Sequence, residues 1–266
     1  MEKFPAQNGA LAEHSNRRGF LQNVATGVSA MGVAGLAGCV ESSDSATVTD
    51  SVSETIDSDS TPLSPDEFDE YVTEMHDRYG DSGPWGKRGI EPDHGLTYVG
   101  AWTVHPENSS TSTDGLSSDH LVALYRIPPG KSRGTFDYYQ FWIWSAVEPI
   151  DRATLKRVRP KVKLLGDERR MRMYSPAAEV TNGPIPVGLS QPTVDGLNVT
   201  IPLTSGSIRV NPEETHVGGA GAFTPVWSGS TGSVQSVTAT FESSWPSSLG
   251  RKFDWTVETT AEADGS

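Results

Sequence analysis

Cysteine is almost absent from this chain: Cys39 is the single thiol in 266 residues. That excludes a disulfide framework and a Cys-built zinc site, so stability has to come from packing. Positive charge is also scarce, with 21 Lys and Arg against 34 Asp and Glu and a formal net charge of −13. A balance this acidic argues against nucleic acid as a partner and for solubility, or for adaptation to strong salt. Catalytic signatures are missing too. The sequence contains no Gly-x-Ser-x-Gly elbow, no glycine-rich phosphate loop, and no His pair spaced i, i+4 on a helix. No internal repeat is evident, which lowers a propeller or a solenoid.

The N-terminal forty residues carry an address. Arg17-Arg18-Gly19-Phe20-Leu21 opens a weakly apolar stretch that ends in Leu36-Ala37-Gly38 before Cys39. Between Gly19 and Gly38 the stretch includes Gln22, Asn23, Thr26, Ser29 and several glycines, too polar for a comfortable bilayer-spanning helix. Paired arginines (Arg17, Arg18) with Phe20 and Leu21 form a folded-protein export motif, and Leu36, Ala37 and Gly38 before a lone cysteine form a lipoprotein cleavage motif. This combination resembles the twin-arginine-exported lipoproteins of halophilic archaea, with Asn16 standing where that motif usually has Ser or Thr. The resemblance implies cleavage after Gly38, a lipid on Cys39, passage through the twin-arginine translocase, and a protein held at the extracytoplasmic face of the cell membrane. It covers the signal and the acidic style of the remainder only. Without residues 1–38 the chain keeps 18 basic and 32 acidic side chains, a net charge of −14.

Residues 39–63 hold Cys39 followed by Ser, Thr, Asp and Glu with few apolar side chains, which reads as a disordered acidic tether. A single domain is expected over 64–258. Ser64-Pro65-Asp66-Glu67 is a capping box that starts a helix over 65–79, with Phe68, Tyr71, Val72, Met75 and Tyr79 as its apolar stripe. Beyond Gly80 the period changes to two. Strands are expected at 96–104, 120–127, 136–147, 157–165, 169–174, 196–203, 222–227, 234–241 and 253–258, and residues 259–266 read as a disordered tail. About nine strands and one helix predict an all-β antiparallel sandwich.

Three constellations are candidates for function. The first is the basic run Arg152 to Arg172, with nine of the 18 basic residues beyond residue 38. Arg157, Arg159, Lys161 and Lys163 alternate with apolar residues, as do Arg170 and Arg172 after the Gly166-Asp167 turn. A hairpin with Lys163 opposite Arg170 and Lys161 opposite Arg172 would give one basic face, for anion docking or for interleaving with nearby carboxylates. Pro160 places its strand at a sheet edge. The second is Tyr138, Gln140, Trp142 and Trp144, one face of an aromatic strand, either an exposed platform for sugar rings or a row buried beneath the helix stripe. The third is the scatter of His76, His94, His105, His120 and His216 near carboxylates, which lacks zinc-ligand spacing. Asn108 and Asn198 head N-glycosylation acceptor triplets. No metal and no cofactor are predicted. The sequence thus predicts a lipid-anchored extracytoplasmic binding or scaffold domain whose partners are the membrane and a cell-surface glycan or protein. A secreted hydrolase or metal-dependent enzyme built on the loop histidines and carboxylates is the alternative, and a solute-binding lipoprotein a further one.

Overall fold

A computed structural model describes residues 46–86, 95–104, 115–128, 135–150, 152–181, 183–189 and 199–263. The export motif, the cleavage motif, Cys39, His94, His105, Asn108 and Asn198 lie outside these residues. The elements are β1 (Ala46–Ile56), α1 (Pro65–Tyr79), β2 (Thr97–Val104), β3 (Leu116–Arg126), β4 (Phe136–Pro149), β5 (Thr154–Leu164), β6 (Arg170–Ser175), β7 (Ile185–Val187), β8 (Val199–Ile201), β9 (Ser207–Val210), β10 (Gly218–Gly219), β11 (Ala222–Phe223), β12 (Pro225–Thr231), β13 (Gln235–Pro246) and β14 (Phe253–Ala263). They form two six-stranded antiparallel sheets packed as a sandwich. The first runs β1-β14-β5-β12-β9 with β11 also on β5; the second runs β10-β6-β13-β4-β3-β2. A small β7-β8 sheet lies against β13. The all-β expectation holds.

Alternation explains the core. Val158, Val162 and Leu164 of β5 and Phe253, Trp255 and Val257 of β14 point into the sandwich, where they meet Phe141, Phe241 and Trp102 of the second sheet. Phe141 lies stacked on Phe241 at 4.4 Å between ring centres, with Phe253 edge-on at 5.0 Å. Aromatic pairs in these geometries add to area burial.

The helix begins where predicted. Ser64 accepts the Glu67 N–H at 3.3 Å, while a Glu67 carboxylate oxygen accepts the Ser64 N–H at 2.8 Å. These bonds hold the Glu67 carboxyl below its ordinary pKa. Chain entry to the helix crosses β2 at Gly100, where a Cβ would come within 2.6 Å of Pro62. There the Leu63 N–H donates to the Ala101 carbonyl at 2.9 Å, and Tyr98 Oη donates to the Leu63 carbonyl at 2.8 Å. Phe68, Met75 and Tyr79 are thereby buried on the outward face of the second sheet.

Two segments expected to be disordered are strands. Ala46–Ile56, within the supposed tether, pairs residue for residue with β14, and that pairing carries β14 through Ala263 into the supposed tail. Val48, Val52 and Ile56 recur on one side of β1 with Thr and Ser on the other, a weak period-two signal that a count of large apolar residues overlooks. β1 takes its ladder from β14, and the end of β14 lies between β1 and β5, so neither boundary is set by its own segment.

The predicted β5-β6 hairpin is also corrected. β5 pairs β14, β11 and β12 in the first sheet, whereas β6 pairs β13 and β10 in the second. The segment around Gly166 turns the chain from one sheet to the other. Two strands with uniform faces bury their apolar sides against each other across a sandwich as readily as side by side, so alternation alone does not choose. Nor is β5 at an edge. Its register with β11 (Val162 opposite Phe223) and β12 (Val158 opposite Trp227) places Pro160 opposite Pro225, at the break between β11 and β12. Two residues without an N–H meet where the ladder is interrupted, which is how a central strand tolerates proline.

Candidate docking face

The outward side of the first sheet assembles three parallel rows. β1 contributes Thr47, Thr49, Ser51, Ser53 and Thr55, all exposed. β14 contributes Asp254, Thr256, Glu258, Thr260 and Glu262, and β5 contributes Arg157, Arg159, Lys161 and Lys163. Register sets Asp254 beside Lys163 and Glu258 beside Arg159. The predicted basic face therefore exists on β5, with an acidic strand next to it rather than a second basic one.

Arg159 is the hub of this face. Its Nη1 donates to both Glu214 carboxylate oxygens at 3.0 and 2.9 Å, and its Nη2 donates to Glu258 Oε2 at 2.8 Å. Glu214 also accepts from Asn211 Nδ2 at 3.0 Å and lies 3.6 Å from Lys161 Nζ. Farther along, Lys156 reaches Glu262 at 2.7 Å. Glu214 comes from the segment after β9 that closes over β5, anchored by Thr224 Oγ1 donating to the Glu214 carbonyl at 3.3 Å. Among the described residues Arg157 and Lys163 form no ion pair, so the row is neutralised at its centre and keeps free cations toward both ends.

Arg170 and Arg172 stand apart from that row, on the second sheet. Arg172 forms an ion pair with Glu242, Nε to Oε1 3.0 Å, and its guanidinium lies 4.8 Å from the Tyr138 ring centre. The six basic candidates are thus split between two sheets.

The aromatic row is buried. Trp142 and Trp144 are 1% and 0% exposed, Gln140 is buried, and only Tyr138 is half-exposed. Trp85 packs edge-on against Trp142 at 6.3 Å, Tyr79 packs edge-on against Trp144 at 5.7 Å, and Trp144 Nε1 donates to the Ser82 carbonyl at 2.9 Å. The sugar platform is excluded because the helix and the turn carrying Trp85 occupy the surface it would use. Gln140 spends its amide on Thr240 Oγ1 at 3.1 Å.

The described histidines do not converge. His76 is buried in α1 with Nδ1 3.1 Å from the Gly80 carbonyl, His120 is buried in β3, and His216 sits in a loop with Nε2 2.8 Å from the Ala220 carbonyl. Among the described residues no group of three His, Cys, Asp or Glu is placed to hold a metal, and no helix is long and apolar enough to cross a membrane.

A polar knot pins the end of the helix. Asp119 of β3 is buried and accepts Tyr79 Oη at 2.6 Å and Arg78 Nη1 at 2.8 Å. Burial, reinforced by Asp119, raises the Tyr79 phenol far above its ordinary pKa, so it remains a donor. This cluster seats α1 on the sheet and explains why Asp119 is buried.

Reading by sequence missed the hydroxyl row of β1, the acidic row of β14 beyond Glu258, and Glu214. The first two were visible as period-two patterns in polar segments. Glu214 carries no local signal, because only the tertiary fold brings it over β5. The chain matches no protein-family model and no curated protein sequence.

Proposed function

We propose that this chain is a lipid-anchored extracytoplasmic domain that binds or scaffolds at the cell surface through the outward face of its first sheet. One observation carries the reading. That face stays open across β1, β14 and the two ends of β5 on either side of Glu214, and offers hydroxyls, carboxylates and cations without an ion pair among the described residues, whereas α1 and β7-β8 cover the second sheet. An open polar face without an aromatic platform suits another extended surface, an acidic glycan or a protein, better than a small solute. Arg157 and Lys163 are the contacts for its anionic groups.

Thermal unfolding of residues 39–266 in molar potassium chloride, with acidic and neutral glycans, tests this. A ligand at about 100 Kd adds roughly 2.7 kcal/mol, worth roughly 5 to 10 °C for a domain of this size. The shift should appear with acidic glycans and vanish in Arg157→Glu with Lys163→Glu. A shift that survives both reversals would remove this face from the function. The address is tested by Cys39→Ser, which should release the protein from the membrane fraction; retention would mean a spanning anchor instead of a lipid.

A further inference from the structure

Three donor groups converge on the Glu214 carboxylate. Oε1 accepts from Arg159 Nη1 at 3.0 Å and lies 3.6 Å from Lys161 Nζ, while Oε2 accepts from the same Nη1 at 2.9 Å and from Asn211 Nδ2 at 3.0 Å. Two positive charges and an amide around one carboxylate are a donor set by which a protein holds an anion. The segment that carries Glu214 does not depend on them. The Asn211 N–H donates to the Thr224 carbonyl at 2.9 Å, the Thr224 N–H to Thr215 Oγ1 at 3.0 Å, and Thr224 Oγ1 to the Glu214 carbonyl at 3.3 Å. His216 and Ala222 exchange backbone bonds at 2.9 and 3.2 Å. None of these uses the Glu214 side chain, which can turn away while its backbone stays in place.

Withdrawing that side chain leaves donors without acceptors. Arg159 keeps Glu258 through Nη2, whereas Lys161 and Asn211 Nδ2 lose their carboxylate, so two positive charges face one negative. The flanking ladder neighbours are neutral. Lys161 lies beside Thr256, and Arg157 lies between Thr260 and Ser228. Farther along this face Glu262 pairs with Lys156, and Asp254 stands beside Lys163 and accepts from Thr55 Oγ1 at 2.7 Å. Exposed Glu213, next to Glu214 in the chain, is the acid that opposes an incoming anion. Access is open, since the side chains of Arg159, Lys161 and Glu214 are 22%, 31% and 26% exposed. Ion pairs this exposed are weak enough to exchange.

We propose that Arg159, Lys161 and Asn211 form a binding site for a carboxylate of the ligand, which Glu214 occupies as an internal stand-in until an acidic chain displaces it. This rests on the docking-face reading above. A tethered carboxylate competes at an effective concentration in the mM range or above, so a lone carboxylate displaces it poorly. A chain that reaches Arg157 or Lys163 at the same time gains the same advantage. Strand spacing suits such a chain. Cations at alternate positions of β5 recur at roughly 6.6 Å, so one extended polyanion can meet several of them. Glu214 thereby sets a threshold that multivalent acidic chains pass and single small anions do not. Were Glu214 in place about nine-tenths of the time, its removal would tighten binding about tenfold.

Chains from Cys39 onward, which contain the compact unit Glu41–Ser266, can be titrated calorimetrically with oligogalacturonate, oligoglutamate and neutral dextran. Glu214→Ala should bind an acidic oligomer about tenfold more tightly than the parent, with Glu214→Gln changing in the same direction, and dextran should bind neither. Adding Arg159→Met should erase the gain. In the parent chain, saturating oligomer should move the Arg159 Nε–H signal in NMR and leave that of Arg251, bonded to the Ser58 and Ser60 carbonyls, in place. A gain with oligogalacturonate alone makes the ligand carboxylate a uronate, and a gain with oligoglutamate alone makes it an acidic side chain. Equal affinity of the parent and Glu214→Ala, or an Arg159 signal unmoved at saturation, would overturn the site. If binding is then still lost in Arg157→Glu with Lys163→Glu, the docking face stands without it; if neither oligomer binds any of these chains, both fall together.

Discussion

Replacing Arg159 by methionine removes the charge that joins the carboxylates of Glu214 and Glu258 over β5 while keeping most of the aliphatic stem. The native guanidinium makes three hydrogen bonds to Glu214 and Glu258, and the three side chains are 22%, 26% and 25% exposed. Exposed pairs contribute about 0.2 to 1 kcal/mol, and hydrogen bonds to charged groups about 1.5 to 3 kcal/mol. Intermediate exposure places the loss near 2 kcal/mol, a fall of roughly 4 to 8 °C in Tm. Glu214 would keep Asn211 and the more distant Lys161; Glu258 would lose its ion pair. Most of the loss should therefore couple to Glu258, as a double-mutant cycle of Arg159→Met with Glu258→Gln in urea unfolding would measure. Arg159→Lys should recover only part, because an ammonium cannot fork between two carboxylates. If Arg159→Met lies within about 0.5 kcal/mol of the parent at low salt, where such pairs are strongest, the rows are merely adjacent solvated charges and the hub does not exist.

Other outcomes follow from the same geometry. Trp142→Ala should cost about 3 to 5 kcal/mol by denaturant unfolding, whereas Tyr138→Ala, in the same row but half-exposed under Arg172, should cost about 1 kcal/mol; similar losses would mean the row is not covered as described. Asp50 and Glu54 point inward from edge strand β1, and burial raises both carboxyls above their ordinary pKa values of 3.8 and 4.5. The folded state then holds these protons more tightly than the unfolded chain. Asp50→Asn with Glu54→Gln should add stability at pH 7, by less than about 1 kcal/mol given partial exposure, and the advantage should fade as pH falls through the raised values toward pH 4. The same variant should self-associate more readily in light scattering, since inward charges on an edge strand oppose edge-to-edge pairing. Ser64→Ala should lower the unfolding temperature and let the Glu67 pKa climb back toward its ordinary value, read by NMR titration.

Local chemistry was enough for some of this protein. Ser64, Pro65 and Glu67 announce the helix because a cap is made by residues three apart, and the nine anticipated strands appear because alternation follows from the pleat itself. The basic side of β5 was legible for the same reason. Which surface meets it was not. Lys163 faces Asp254 rather than Arg170 because β5 and β6 belong to opposite sheets, and period-two patterning is identical for a strand's neighbour and for the strand across the core. Trp142 and Trp144 read equally as platform or core until the turn at Trp85 and the helix were placed over them. β1 and the end of β14 are too polar to claim order separately; β1 becomes a strand through β14 alone, and the end of β14 is held between β1 and β5. Sequence fixes what is settled within a few residues of itself; pairing, covering and charge matching depend on positions far apart in the chain, so only the tertiary structure decided them.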